Sequence, residues 1–190
     1  NNPNHIGCHT NSEGEEYFRG THELEIDLIR ICAEEIFGAE KNGCDGYVAS
    51  GGTEANIQAQ WIYRNYFKSE KKAKSDEIGV LFSSDAHYSV YKGCNLLGIK
   101  PIEVAVLDNK LWDLEDLALK LTQAKENGIK YLIIHLSMGT TMFGSVDLPE
   151  GILEVVKQHI SDYFVHVDAA FGGFIYPFTS DASDLSFKNK

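Results

Sequence analysis

The sequence predicts an α/β domain built on a mostly parallel central sheet. Two observations carry that prediction. Short apolar runs alternate with segments of helical periodicity through most of the chain, and the runs at residues 78–82, 102–107, 131–134 and 164–167 read as buried strands. Three of these runs, together with a shorter one at 47–49, pass at once into polar or glycine-rich turns, which carry Gly52, Thr53, His87, Thr141 and Asp168. In a parallel sheet such strand ends gather on one edge, the edge where open α/β sheets bind ligands. The 190 residues suit one domain with a sizeable core. No internal repeat, low-complexity tract or interdomain linker interrupts them.

Each element has its local reason. Residues 1–20 are polar, without periodicity, and read as an N-terminal arm; residues 21–190 read as the domain, incomplete at its C-terminal end. Thr21 opens a helix in which Leu24, Leu28, Cys32 and Ile36 form an apolar stripe with Ile29, Ala33 and Phe37. Glu23 and Glu25 favour its start and Gly38 stops it. Residues 47–49 are expected as a short strand, followed by Ser50-Gly51-Gly52-Thr53 and a helix over 54–67. After the strand at 78–82, the polar turn at 83–89 opens a helix that ends near Gly98. After the strand at 102–107, Asp108-Asn109 turns the chain, Asp113 caps a helix running to Asn127, and Gly128 stops it. The run at 131–134 feeds Ser137 to Thr141. Pro149 sits near the start of a helix expected to end near Tyr163, and the strand that carries Asp168 follows.

Composition narrows the function classes. The net charge of −11 disfavours nucleic acid and anionic membranes as partners, and the only basic knot, Lys71-Lys72 with Lys74, lies among Glu70, Asp76 and Glu77. No apolar run is long enough to span a bilayer and no signal peptide is visible. Cys8, Cys32, Cys44 and Cys94 are widely spaced without a C-x-x-C pair, so a reduced, cytoplasmic location is expected. The chain starts at Asn1 without an initiator methionine and stops at Lys190, and both ends are expected to be cut rather than natural.

Four strand ends offer chemistry. Gly51-Gly52-Thr53, ahead of a helix, lets backbone N–H groups approach one phosphate at a positive dipole end, or is simply a tight turn with Thr53 as cap. It is neither a Walker loop nor a G-x-G-x-x-G fingerprint. His87 could stack on a flat ring or shuttle a proton, or be an exposed loop histidine. Thr140-Thr141 could donate to a ligand oxygen, or serve turn chemistry. Asp168 could hold a protonated heterocyclic nitrogen, as an electron-sink cofactor needs. A metal reading ranks below that one: His166 shares a strand face with Asp168, and His135 is expected to end the neighbouring strand, but no further ligand stands at a recognised interval. A phosphate, a flat ring and a basic ring nitrogen together describe pyridoxal phosphate.

The same residues resemble a known family, the group II pyridoxal-phosphate-dependent amino acid decarboxylases. Gly46-Tyr47-Val48-Ala49-Ser50-Gly51-Gly52-Thr53-Glu54-Ala55-Asn56 resembles their phosphate loop, and Ser84-Asp85-Ala86-His87-Tyr88-Ser89-Val90 their ring-stacking segment. Gly139-Thr140-Thr141 with Gly144 and Asp147 is similar to their G-T-T-x-x-G-x-x-D stretch, and His166-Val167-Asp168-Ala169-Ala170-Phe171-Gly172-Gly173 to their pyridine-binding strand. The forms are most similar to the branch of bacterial histidine and plant serine decarboxylases. The resemblance implies a fold type I large domain, truncated here. It implies Gly52 and Thr53 on the phosphate, His87 stacked on the ring, Thr141 beside the ring substituents, Asp168 on the ring nitrogen and Ala170 under the ring. His87 and Asp168 would be the catalytic groups, and no metal is expected. The activity implied is loss of the α-carboxylate of an amino acid as CO₂, in a homodimer when full length.

One departure follows from the same resemblance. The family's Schiff-base lysine follows a histidine beyond the pyridine-binding strand, whereas Lys188 and Lys190 are the only lysines after Asp168 and neither follows a histidine. The chain is expected to stop roughly ten residues short of that lysine, and to be inactive alone. Three alternatives stand beside this reading. One is an aminotransferase, lyase or desulfurase of the same fold. Another is a non-catalytic ligand-binding domain. The last is a metal-dependent hydrolase using His135, His166 and Asp168. The substrate side chain is not readable from the sequence; His9 in the arm is a candidate to reach it.

Overall fold

The computed structural model describes residues 19–179 and residue 185. Residues 1–18, most of the expected arm and with it His9, lie outside the described residues, as do Lys188 and Lys190. The chain divides into two compact units, Gly51–Tyr176 and a smaller one made of Asn1–Ser50 with Pro177–Lys190.

In the smaller unit, helix α1 (Arg19–Arg30) runs on into a π-helical stretch, Ile31–Ile36, and the chain leaves it through Gly38 at φ 71°. Left-handed backbone of this kind is open to glycine at little cost, as the stop signal required. The expected strand at 47–49 does not form. The Val48 N–H donates to the Glu25 carboxylate at 2.6 Å, so it is spent on a side chain rather than on a ladder.

The larger unit is a four-stranded, wholly parallel sheet in the order β2-β1-β3-β4, from β1 (Ile78–Ser83), β2 (Lys100–Val104), β3 (Tyr131–Ser137) and β4 (Asp162–Asp168). Helix α2 (Gly52–Glu70) precedes it. Helices α3 (Ser89–Leu97), α4 (Leu114–Glu126) and α5 (Pro149–His159) form the crossovers. The chain steps one way from β1 to β2 and the other way from β2 to β3 and β4. Right-handed crossovers therefore send α3 to one face and α4 with α5 to the other. Strand β1 is buried at all six positions, as expected of a central parallel strand covered on both faces.

Alternation along the strands divides the core between those faces. On the α2 and α3 side, Phe67, Ile78, Val80, Phe82, Val90, Cys94 and Ile133 form one buried cluster. The residues between them, Leu81, Leu132, Ile134 and Leu136, are fully buried toward the opposite face, where α4 and α5 bury Leu117, Leu121, Ile152 and Val156. An aromatic group ties α2 to β4: Phe164 stacks on Tyr63 at 4.8 Å between centroids and meets Tyr66 and Phe67 at 5.0 and 5.1 Å. Pairs of this kind contribute about 0.5–1.5 kcal/mol each beyond area burial.

The ends of several elements differ from expectation. Asp113 caps α4 through bonds from the N–H groups of Glu115 and Asp116, and Gly128 follows at φ 88°, as read. The run read as 102–107 pairs as a strand only over Lys100–Val104; beyond it Val106 bridges back to Trp112. Helix α5 ends at His159, and Tyr163, expected near its end, belongs to β4, where it pairs with Leu132. Strand β3 runs on to Ser137, so His135 lies inside it rather than at its end. Among the described residues no helix is long and apolar enough to cross a membrane.

Candidate active site

The chain reverses direction between β1 and β3. At such a switch point the connections leaving neighbouring strands diverge to opposite faces and open a crevice beyond the strand ends. A cleft of about 340 Å³ lies there. The turn after β1 supplies His87 and Tyr88, β3 and the loop after it supply Ser137 and Gly139 to Thr141, and β4 supplies Asp168 with Ala170 and Phe171 beyond it. The first two turns of α2 close the cleft with Gly52, Thr53 and Asn56. All six residues singled out in the sequence, Gly52, Thr53, His87, Thr141, Asp168 and Ala170, therefore line one cavity.

Asp168 ends β4 with its side chain 13% exposed. Its Oδ1 accepts the Ala170 N–H at 3.1 Å and its Oδ2 accepts the Asn56 amide at 2.7 Å. These two donors fix the aim of the carboxylate into the cleft. Beneath it, in register on β3 and β4, lie His135 and His166, ring centroids 5.1 Å apart. Burial lowers the basicity of both: the pKa of His166 falls to about 4, and that of His135 falls further under the influence of His166. Both rings are neutral near pH 7. His135 Nε2 is 3.8 Å from Asp168 Oδ2, too far for a hydrogen bond, and neither of its ring nitrogens has a partner. Among the described residues no three His, Cys, Asp or Glu side chains converge as metal ligands.

Asn56, 2% exposed, is the junction of the cleft floor. Besides Asp168, its amide nitrogen donates to Ser89 Oγ at 2.9 Å, and its oxygen accepts from His166 Nε2 at 2.8 Å. The carboxylate can only accept, which fixes which end of the amide is nitrogen. Ser89, fully buried as the first residue of α3, approaches His87 Nδ1 with its hydroxyl at 2.8 Å and its N–H at 3.3 Å.

The loop after β3 braces itself. Met138 bridges to Val146, Thr140 N–H donates to the Ser145 carbonyl at 2.8 Å, and the two hydroxyls meet at 2.7 Å. Asp147 is buried at its base, accepting the Ser137 N–H at 2.7 Å. Burial nevertheless pushes its carboxyl up to about 6. This bracing buries Thr140 and leaves Thr141 exposed on the rim.

The glycines of the α2 start work by close approach. A Cβ on Gly52 would stand 3.2 Å from the Ala170 Cβ, so a larger residue would crowd the turn after β4. The first N–H groups of α2 have no acceptor within the helix and face the cleft with the positive end of its dipole. Contrary to the reading that a strand delivers them, Gly52 and Thr53 are placed by α2 alone.

Asn56, Ser89, Ser137 and Phe171 were not singled out as site residues by the sequence reading. One signal was there: Asn56 is four positions after Gly52, so in a helix both lie on one face. Among the described residues no lysine lines the cleft.

Comparison with known proteins agrees with this architecture. The chain is 48% identical to a tryptophan decarboxylase of Clostridium sporogenes over its whole length, covering 46% of that protein. It is 36% identical to a histidine decarboxylase of Acinetobacter baumannii, with 90% of this chain matched to 42% of that one. It thus spans less than half the length of these relatives. The crystal structure of L-methionine decarboxylase from Streptomyces sp. 590 shares the fold, with a TM-score of 0.73 at 18% identity over 90% of this chain and 47% of that one. The pyridoxal-dependent decarboxylase conserved domain matches residues 21–185, and the chain belongs to that family.

Proposed function

We propose that the full-length protein decarboxylates an L-amino acid to its amine and CO₂ with pyridoxal phosphate held in this cleft. One observation carries the reading: a carboxylate held by two donors, Asp168, shares a single cavity with the open N-terminus of a 19-residue helix, α2. That pair of ends suits a flat ligand with a phosphate at one side and a basic ring nitrogen at the other. The opening kept by Gly52 against Ala170, and the neutral histidines behind Asp168, suit it too.

In this reading the N–H groups and hydroxyl at Gly52 and Thr53 bind the phosphate. His87 covers one face of the ring, and Ala170, small enough to allow contact, packs under the other. Thr141 donates from the rim to the ring's oxygen substituent. Asp168 keeps a proton on the ring nitrogen, since a carboxylate beside a pyridine favours the charged form. When bound, the cofactor supplies an electron sink for the pair left behind when the α-carboxylate departs. The chain's own part is orientation, exclusion of water from the floor by Asn56 and Ser89, and retention of that one proton.

The first substrate to try is tryptophan, because a tryptophan decarboxylase is 48% identical over this whole chain. Residues 21–190 form the cofactor-binding large domain, residues 1–20 an arm, and the whole protein acts in the cytoplasm as a homodimer. The test is direct. Full-length protein is mixed with pyridoxal phosphate, its visible absorbance is recorded, and amine and CO₂ are measured with tryptophan, histidine and tyrosine. Cofactor uptake with amine formation supports the reading. A keto acid product, or no uptake, overturns it.

A further inference from the structure

The polar atoms on the cleft floor form one directed chain, and it leads from Asp168 to a ring it does not touch. Asn56 has two amide hydrogens. One goes to Asp168 Oδ2 at 2.7 Å and the other to Ser89 Oγ at 2.9 Å. Its oxygen is taken by His166 Nε2 at 2.8 Å. Every polar atom of the side chain is thus committed, and the residue is only 2% exposed. Ser89 has one hydroxyl proton. Its oxygen accepts from Asn56, which leaves the proton available to His87 Nδ1, 2.8 Å away. The Ser89 N–H approaches the same nitrogen at 3.3 Å. That N–H can only donate, so the geometry favours Nδ1 as the acceptor and a ring proton on Nε2.

We infer that Asn56 is a positioning residue that sets proton placement on both sides of the cleft at once, aiming the Asp168 carboxylate directly and fixing the tautomer of His87 through Ser89. Under the function proposed above, on which this inference rests for its meaning, the relay has a clear use. It aims Asp168 at the ring nitrogen and disfavours a second proton on His87. A cationic His87 close to the ring would oppose the proton that Asp168 retains there, at short range and in a partly dry site. Two donors on the Nδ1 side of His87 disfavour a proton on that nitrogen.

The test substitutes one atom of Asn56. In Asn56→Asp the side chain keeps its size and shape, but the oxygen that replaces the amide nitrogen shares one proton with the Asp168 carboxylate 2.7 Å away and has none left to give Ser89. Ser89 then turns its hydroxyl toward the new carboxylate and presents a lone pair to His87 Nδ1, which takes the proton. Full-length protein without cofactor is labelled with ¹⁵N-histidine and examined by NMR at about pH 8, above the ordinary imidazole range. In the wild type the Nδ1 signal of His87 is expected to be pyridine-like and the Nε2 signal protonated. In Asn56→Asp the tautomer ratio is expected to move toward Nδ1–H by at least about threefold, the equivalent of one ordinary hydrogen bond lost and remade. The Ser89 N–H contact persists in the variant and limits the shift.

A wild-type His87 protonated on Nδ1 overturns the inference without any variant. So does a folded Asn56→Asp protein with an unchanged His87 signal, because Asn56 would then be a packing residue only. Uptake of pyridoxal phosphate is read separately, by visible absorbance of the wild type. Its failure would remove the proposed function and leave the relay result standing.

Discussion

The Asn56 amide nitrogen lies 2.7 Å from Asp168 Oδ2 across 112 positions of sequence. One belongs to the second turn of α2 and the other to the last position of β4, so the bond exists only because α2 packs on β4. That packing is aromatic, through Phe164 against Tyr63, Tyr66 and Phe67, and is reinforced by the Tyr63 hydroxyl donating to the Val165 carbonyl at 3.2 Å. The core on this face thus also sets the aim of the carboxylate.

The charge of Asp168 is expected to matter more than its shape. Asp168→Asn in the full-length protein keeps the volume and removes the anion. Turnover should fall by about 10²-fold or more, the scale of losing one preorganised electrostatic group, with a smaller change in unfolding midpoint. Steady-state amine formation beside thermal unfolding checks this; a variant within a few-fold of wild type would remove Asp168 from the ring nitrogen.

Topology made part of this site legible in the sequence. His87, Thr141 and Asp168 follow apolar runs, and a parallel sheet brings the ends of such runs together whatever lies between them. Asn56 and Ser89 escaped because a hydrogen bond 112 or 33 positions long leaves no local pattern. Helix ends followed the punctuation: Gly98 and Gly128 stop α3 and α4 at φ 63° and 88°. No glycine separates His159 from Asp162, so helical periodicity was carried into Tyr163, which the sheet claims. The three residues at 47–49 were too few to hold a strand once Glu25 took the Val48 N–H.

Gly172 is expected to tolerate no side chain. Its N–H donates to the Met138 carbonyl at 2.9 Å, and a Cβ there would stand 2.2 Å from that same oxygen. The obstacle is backbone, so the turn after β4 must move, carrying Ala170 and Phe171 with it. Gly172→Ala should cost about 1–3 kcal/mol and weaken cofactor uptake together with stability. Urea unfolding and a cofactor titration check it, and a silent substitution would mean that the turn yields freely.

His135 offers the opposite case. It is fully buried with neither ring nitrogen partnered, and burial keeps the ring neutral. Replacing an unpartnered polar group with an apolar one of similar size removes a desolvation penalty. His135→Leu should therefore gain about 1 kcal/mol near neutral pH. Its folded-state pKa is depressed, so the stability that depends on the neutral ring is present above the unfolded value near 6.5 and is lost on acidification. The variant should consequently lose less stability than wild type between pH 6.5 and 4. A loss of stability at pH 7 would show that His135 makes a bond to Asp168 across the 3.8 Å gap, directly or through water.

Asp147 should give a pH dependence of the other sign. Its carboxyl rises from 3.8 to about 6, chiefly through burial, with the bond from the Ser137 N–H only partly offsetting it. The fold then binds a proton that the unfolded chain releases. Stability from this group is complete below about pH 4, declines as pH climbs, and is lost above the folded value. The full span is about 3 kcal/mol, from a shift of about two units. Asn at this position keeps an acceptor for the Ser137 N–H and does not titrate. Relative to wild type, Asp147→Asn should therefore gain stability steadily from pH 4 to 6.5 and no further beyond. Urea unfolding of both proteins at several pH values separates this from a constant offset. A difference that stays flat with pH would place the carboxyl at its ordinary value and leave Asp147 as a simple brace of the loop that presents Thr141.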